Sequence, residues 1–206
     1  PYNRLLARQS RFRIDAELIR DNALAVSGLL VRDLGGRSVK PYQPKGLLRH
    51  LNFPQRTYQH DSGPNQYRRG VYTHWQRQFL HPAMKSFDAP PREECTADRP
   101  RSNTPLAALV LLNDPSYVEA ARVFAERILQ GDVKSDEGRI DAVFVEALSR
   151  KANQQEKAIL KPLVASQRQR YAADPDAAMK VVSVGERSVA EGVDVVELAS
   201  LLSVTR

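Results

Sequence analysis

The chain has 206 residues, 42% hydrophobic and 27% charged, an ordinary globular composition that suits one domain or two small ones and excludes a collagen-like or low-hydrophobicity disordered chain. A net charge of +7, carried mostly by arginine, favours anionic partners such as acidic polysaccharide, phospholipid or an acidic protein face, while the absence of any lysine- or arginine-rich block argues against nucleic acid. One cysteine, Cys95, excludes an internal disulfide and a CxxCH haem attachment, and no apolar run reaches the eighteen residues a membrane span needs.

The opening "PYNRLLARQSRFR" has no apolar stretch of signal-peptide type, and Pro1 in place of an initiator Met leads us to expect a mature or excised piece. Residues 15–31 place Leu18, Ile19, Ala23, Val26 and Leu30 at helical spacing with Asp15 as the cap, and Gly35-Gly36 ends the unit. Residues 37–63 read as a long loop broken by Pro41, Pro44 and Pro54, with room for one short turn over 45–51. In 65–80 the strict four-residue spacing of Tyr67, Val71, Trp75 and Phe79 favours helix, and the Gly70 to Thr73 step allows an extended path instead. Residues 81–102 form a second long loop with four prolines.

From residue 104 the pattern is regular. Thr104 caps with Pro105 at the first helical position, where its missing N–H costs nothing, and Asp114 with Pro115 repeats the device for a helix to about Leu129. Residues 136–151 carry the stripe Ile140, Val143, Phe144, Ala147 and Leu148. Asn153 with Glu156 forms a capping box for a helix to about Ala173, kinked at Pro162. Asp174-Pro175 starts a short helix ending near Gly185, and Asp194 with Glu197 starts the last one. The expected fold is all-α (mainly α): an irregular helical domain in which two long Pro/Arg-rich loops wrap on a C-terminal helical bundle. The chain reads as one domain, with a loop-rich, arginine- and aromatic-rich half over 1–103 and a helical half over 104–206.

Unusual residues gather in the two loops, which hold all four histidines (His50, His60, His74, His81), the only tryptophan and several arginines. His60, Asp61, His81 and Asp88 are the acid–base candidates, although neighbours such as His60 and Asp61 do not usually hydrogen-bond to each other as catalysis requires. Arg68, Arg69, Trp75, Arg77, Arg92 and Arg101 mix cations with an aromatic surface, the composition that stacks on sugars or bases; core packing of Tyr67, Val71 and Trp75 is the plainer reading. Histidine spacing matches no metal motif, and neither a phosphate-cradling loop nor a nucleophile elbow occurs. On the first helix Arg13, Glu17 and Arg20 share a face. Part of the arginine set is expected to clamp the loops, because one guanidinium can satisfy several backbone carbonyls.

The strings "RFRIDAELIRDNALAVSGLL", "GGRSVKPYQPKGL", "YRRGVYTHWQR", "FDAPPREEC", "RSNTPLAALVLLNDPSYVEAAR" and "GRIDAVFVEALSR" follow one another along the chain. Together they resemble the C-terminal part of a planctomycete-enriched domain of unknown function, found at the C-terminal end of large proteins with c-type-cytochrome-like domains. The family domain begins upstream with an Asn-Arg…Trp segment that is missing here, and where the family usually has glutamine after the residue matching Leu106, this chain has Ala107.

The resemblance implies a periplasmic or otherwise extracytoplasmic location and a parent protein extending at both ends. It implies c-type haem in the parent and none bound by this chain, and the upstream segment and cytochrome domain of the same parent as partners. It supplies no catalytic residues. The leading expectation is an accessory domain that packs on the haem-bearing part and shapes a partner or polysaccharide-binding surface. The alternatives are part of a redox or lytic enzyme acting on complex polysaccharide, and a basic polyanion-binding module. No catalytic motif is recognisable, so the isolated chain is expected to be non-catalytic.

Overall fold

A computed structural model describes residues 5, 12–44, 46–47, 57–76 and 79–206. Eight α-helices account for its regular structure: α1 (Ala16–Ser27), α2 (Pro82–Ser86), α3 (Pro105–Asn113), α4 (Pro115–Gln130), α5 (Asp136–Leu148), α6 (Gln154–Ala173), α7 (Pro175–Val182) and α8 (Val195–Thr205). Only isolated β-bridges occur among the described residues, so the fold is mainly α.

The central element is α4. Its sequence YVEAARVFAERIL puts small or apolar residues on nearly every side, and all but a few of its side chains are buried. One face meets α5, α7 and α8 in a core of Phe124, Ile128, Val143, Val182, Leu198 and Leu201. The other face meets α1 and the segment that follows it through Leu24, Leu29, Ala120 and Val123. A third cluster joins Ala16, Met84, Phe87, Ala107 and Tyr117 and so ties α2 and α3 to the N-terminal turn of α4.

The second half begins its helices where its caps stand. Thr104 Oγ1 accepts from the Ala107 N–H at 3.1 Å, and Asp114 Oδ1 accepts from Ser116 at 2.9 Å, with Pro105 and Pro115 at the first helical positions. Asn153 and Glu156 exchange both bonds of a capping box. The helix they start runs unbroken through Pro162 to Ala173.

The first half departs from its sequence pattern. α1 stops at Ser27 with Gly28 in the left-handed region, short of residue 31. Asp15 occupies the N-cap position, but its side chain makes no cap bond and faces Arg101 and Arg99 at 3.6 and 3.8 Å. The buried face of α1 is Ala16, Glu17, Arg20, Leu24 and Ser27, whereas Leu18 is half exposed. Tyr67, Val71, Trp75 and Phe79 do not share one helix: Tyr67 ends a short 3-10 helix over Gly63–Tyr67, Val71 sits in another over Gly70–Tyr72, and this stretch is joined to the one after α1 by parallel bridges Val31–Arg68 and Val39–Thr73. Within the second loop, 82–86 turn into the short α2. The turn expected over 45–51 lies largely outside the described residues.

Candidate functional site

α3 is the most apolar helix, yet most of its residues are exposed. Its sequence PLAALVLLN has no charged residue and only Asn113 as a polar one. A helix apolar all round belongs in an interior, yet only Ala107 is buried, and Leu106 (58%), Leu109 (54%) and Leu112 (44%) are exposed. Those three leucines, three residues apart, form the outer stripe. Thr104, Ala107, Ala108 and Leu111, at helical spacing on the inner side, line a cavity of about 650 Å³. Across it stand Ile19, Ala23 and Val26, three of the five residues in the apolar stripe of α1. These three residues also pack against the neighbouring core clusters, while the polar side chains of α1 reach the loops.

Arginines hold those loops. Arg20 lies buried and donates to the carbonyls of Gln66 (2.6 Å) and Arg68 (3.1 Å). Arg68, also buried, donates to the carbonyls of Arg37 (2.9 Å), Asp33 (3.3 Å) and Gly35, with its guanidinium 4.1 Å from the Tyr72 ring centre. Arg13 donates to Asp88 (2.6 Å) and to the carbonyls of Phe87 (3.0 Å) and Ser102. Glu17 accepts from Arg99 at 2.9 Å. Arg13 lies ahead of α1 and so shares no helix face with Glu17 and Arg20 as the sequence suggested, and all three bond to distant loop groups and not to one another. Each bond satisfies a backbone carbonyl or carboxylate that a helix or sheet would otherwise have to provide for.

A deeply buried polar centre is Glu119 on α4, 1% exposed. Its Oε1 accepts from Tyr67 Oη (2.8 Å) and from the N–H groups of Glu186 (2.9 Å) and Arg187 (2.8 Å), while Oε2 accepts from Tyr42 Oη (3.0 Å). Burial, together with this carboxylate, pushes both tyrosine hydroxyls well above their ordinary range. Gly185, at φ +99°, passes so close that any Cβ there would collide with the Glu119 carboxyl group. Arg122, fully buried one turn on, donates to Glu126 (3.0 Å) and to the Arg187 carbonyl (2.5 Å). Four donors fill the carboxylate, so the centre joins three segments to α4 and presents no free group for chemistry.

A family model described as PSD1, Protein of unknown function (DUF1553), matches residues 1–164. The chain belongs to that family. No curated protein and no solved structure is similar enough to count as a match. The family match ends inside α6, whereas the core around Phe124 needs Ala178 and Val182 of α7 and Leu198 and Leu201 of α8. In this member of the family, the packed unit therefore extends about forty residues past the matched stretch.

The acid–base candidates in this PSD1 chain occupy three separate places. Asp61 turns its carboxylate to Arg37 (2.9 Å) and the Lys40 N–H (2.8 Å); burial raises its pKa, but these bonds outweigh it and hold the group below the usual carboxylate range. His60, nearly half exposed, has its Nδ1 3.0 Å from the backbone oxygen of Asp61 and 3.4 Å from Gln66 Nε2, packs edge-on to the Tyr42 ring, and lies 3.8 Å from Glu186. His81 is buried at the start of α2. Its Nε2–H donates to the Tyr42 carbonyl (2.7 Å), and burial lowers its pKa to about 4, so it is neutral at pH 7. The void beside it, between His74, Gln43 and Gln76, measures about 10 Å³, room for one water and not for a substrate. Asp88, on the far side, accepts from the Ser102 N–H (2.7 Å) and from Arg13, which lower its pKa.

Of the stacking candidates, Trp75 donates to the Pro91 carbonyl (2.9 Å) and has Arg92 laid over its ring at 3.9 Å, so an arginine already holds the face a sugar would use. Arg101 reaches towards Asp15 and the Phe12 ring, and Arg69 is half-buried within the field of Asp21. Arg77 and His50 lie outside the described residues. Among the described residues no cluster of three or more His, Cys, Asp or Glu is placed to hold a metal, and no helix is long and apolar enough to cross a membrane. Cys95 is exposed. Sequence reasoning missed α3 as a surface because its caps read as scaffold; the signal was its composition, apolar at every angle.

Proposed function

We propose that this chain is an accessory helical domain that docks on another part of its parent protein through the outer face of α3. The observation that carries the reading is the stripe Leu106, Leu109 and Leu112, exposed on a helix with no charge to keep it in water. A nine-residue helix is marginal in water without packing, and α3 has one buried side chain of its own. Contact with a partner supplies the missing burial. Following the resemblance, the partner is the upstream or haem-bearing part of an extracytoplasmic cytochrome-type protein, and c-type haem stays on that part. The arginine clamps fit a role in which loops are fixed to present a surface. Dispersal of the acid–base candidates over three places favours this reading over the enzyme one.

The test titrates this chain with the rest of its parent protein. We expect saturable one-to-one binding, weakened at least tenfold by Leu109→Glu, an exposed position where the fold loses nothing. No association at high micromolar concentration, or binding indifferent to Leu109→Glu, overturns the proposal.

A further inference from the structure

The small void beside His81 carries an inference independent of α3. It measures about 10 Å³, and six residues line it: Gln43 and Tyr58 of the first long loop, His74, Gln76 and Phe79 of the stretch after it, and His81 at the start of α2. Three of the six carry a buried polar atom with no hydrogen-bond partner among the described residues: Gln43 Nε2, Gln76 Nε2 and His81 Nδ1. Leaving one such group unpaired costs about 1–3 kcal/mol, so three around one void call for a shared partner.

The chemistry of the three atoms selects that partner. His81 is 5% exposed and donates its Nε2–H to the Tyr42 carbonyl at 2.7 Å. Its ring is neutral at pH 7, so Nδ1 keeps a lone pair and can only accept. The two amide nitrogens can only donate. The occupant must therefore accept from two N–H groups and donate to one nitrogen. A metal cation fails, because the amide N–H groups repel it and no carboxylate lines the void. The charges of Arg20 and Lys40, which bear on His81 and His74, repel it too. A halide fails because it has no proton to give Nδ1. Water meets all three demands and fits the volume. Its second proton can go to the Tyr58 hydroxyl oxygen, whose own proton is spent on the Pro41 carbonyl at 2.6 Å.

We infer that this void is a binding site for one internal water, which accepts from Gln43 and Gln76 and donates to His81 Nδ1. The water thereby joins the first long loop, the stretch over 65–80 and the start of α2, as Arg20 and Arg68 join the loops elsewhere.

The experiment is water-selective NOE and ROE spectroscopy of the isotope-labelled full chain at pH 7. We expect cross-peaks of opposite sign in the two spectra between one water and the side-chain amides of Gln43 and Gln76, the mark of a water held for longer than nanoseconds. The nitrogen shifts of His81 should show the proton on Nε2. Both signatures should survive a chelator and the replacement of chloride by sulfate. Gln43→Leu should remove the water cross-peak at Gln76 in a chain that still unfolds cooperatively. Gln43→Leu and Gln76→Leu should also be coupled, the effect of one on the unfolding constant changing more than twofold in the presence of the other. No water cross-peak at either amide, a His81 proton on Nδ1, or effects of the two leucine variants that combine within twofold of additivity overturns the site. Loss of the cross-peaks on chelation or on removing chloride assigns an ion and overturns the water.

Discussion

Glu119→Gln tests the polar centre that ties the loops to α4. An amide keeps the shape of the carboxylate but turns one acceptor into a donor. If its oxygen takes the place of Oε1, the bonds from Tyr67, Glu186 and Arg187 survive, and the new NH₂ faces the Tyr42 hydroxyl. That hydroxyl already accepts from the Glu186 N–H at 2.9 Å, so its own proton loses its acceptor. The reverse orientation is worse, because the NH₂ then meets three donors. Losing one buried hydrogen bond to a charged group costs about 1.5–3 kcal/mol, and the three survivors weaken as their acceptor becomes neutral. Buried Arg122 also loses a neighbouring negative charge. The sum is about 3 kcal/mol after allowing for the lower cost of burying an amide. Urea unfolding followed by circular dichroism should show a midpoint lowered by more than 1 M at unchanged slope, taking a slope of about 2 kcal/mol/M. A variant within about 0.5 kcal/mol of the parent sequence would refute the reasoning.

Other outcomes follow from single contacts. His81 has its folded pKa lowered from 6.5 to about 4, so the unfolded chain binds the extra proton first. Its contribution is full above pH 6.5 and is lost as pH falls from 6.5 towards 4, by roughly 3 kcal/mol; His81→Gln should flatten that part of the stability–pH curve, and an unchanged slope would contradict it. Gly70→Ala would place a Cβ 2.6 Å from the Glu17 carbonyl oxygen, and should destabilise by about 1–3 kcal/mol or more through overpacking; an unchanged melting temperature counts against the close approach. Thr104→Ala removes the cap of α3 and should cost roughly 1 kcal/mol in thermal unfolding, a reading sunk by no change.

The helices after residue 104 were legible because each start carries its own local signal. A short acceptor side chain followed by proline, or an Asn153–Glu156 box, satisfies helix-end N–H groups with residues three or fewer positions away. The earlier half was not legible because its decisive bonds are distant in sequence. Tyr67, Val71, Trp75 and Phe79 have helical spacing. A helix would use the carbonyls of Gln66 and Arg68, and Arg20 occupies both; the Gly70 N–H is taken by Asp21 at 2.5 Å. The apolar stripe of α1 was legible as a pattern: Ile19, Ala23, Val26 and Leu30 pack half-buried against the core clusters, and the first three also border the cavity. The site candidates were chosen by residue type, and type does not report partners: Asp61 and Asp88 are held by Arg37 and Arg13, and Trp75 is covered by Arg92. Glu119 drew no attention because a glutamate at i, i+3 and i+7 from Arg122 and Glu126 reads as a solvated ladder on an exposed helix face.

The docking claim is tested most directly by hydrogen exchange at the α3 amides, 107–113, in this chain alone and within the whole parent protein. With one buried side chain α3 should open readily in the isolated chain, and the account predicts exchange at least a hundredfold slower in the parent, with the α4 amides little changed. Equal exchange of α3 in both settings would contradict it.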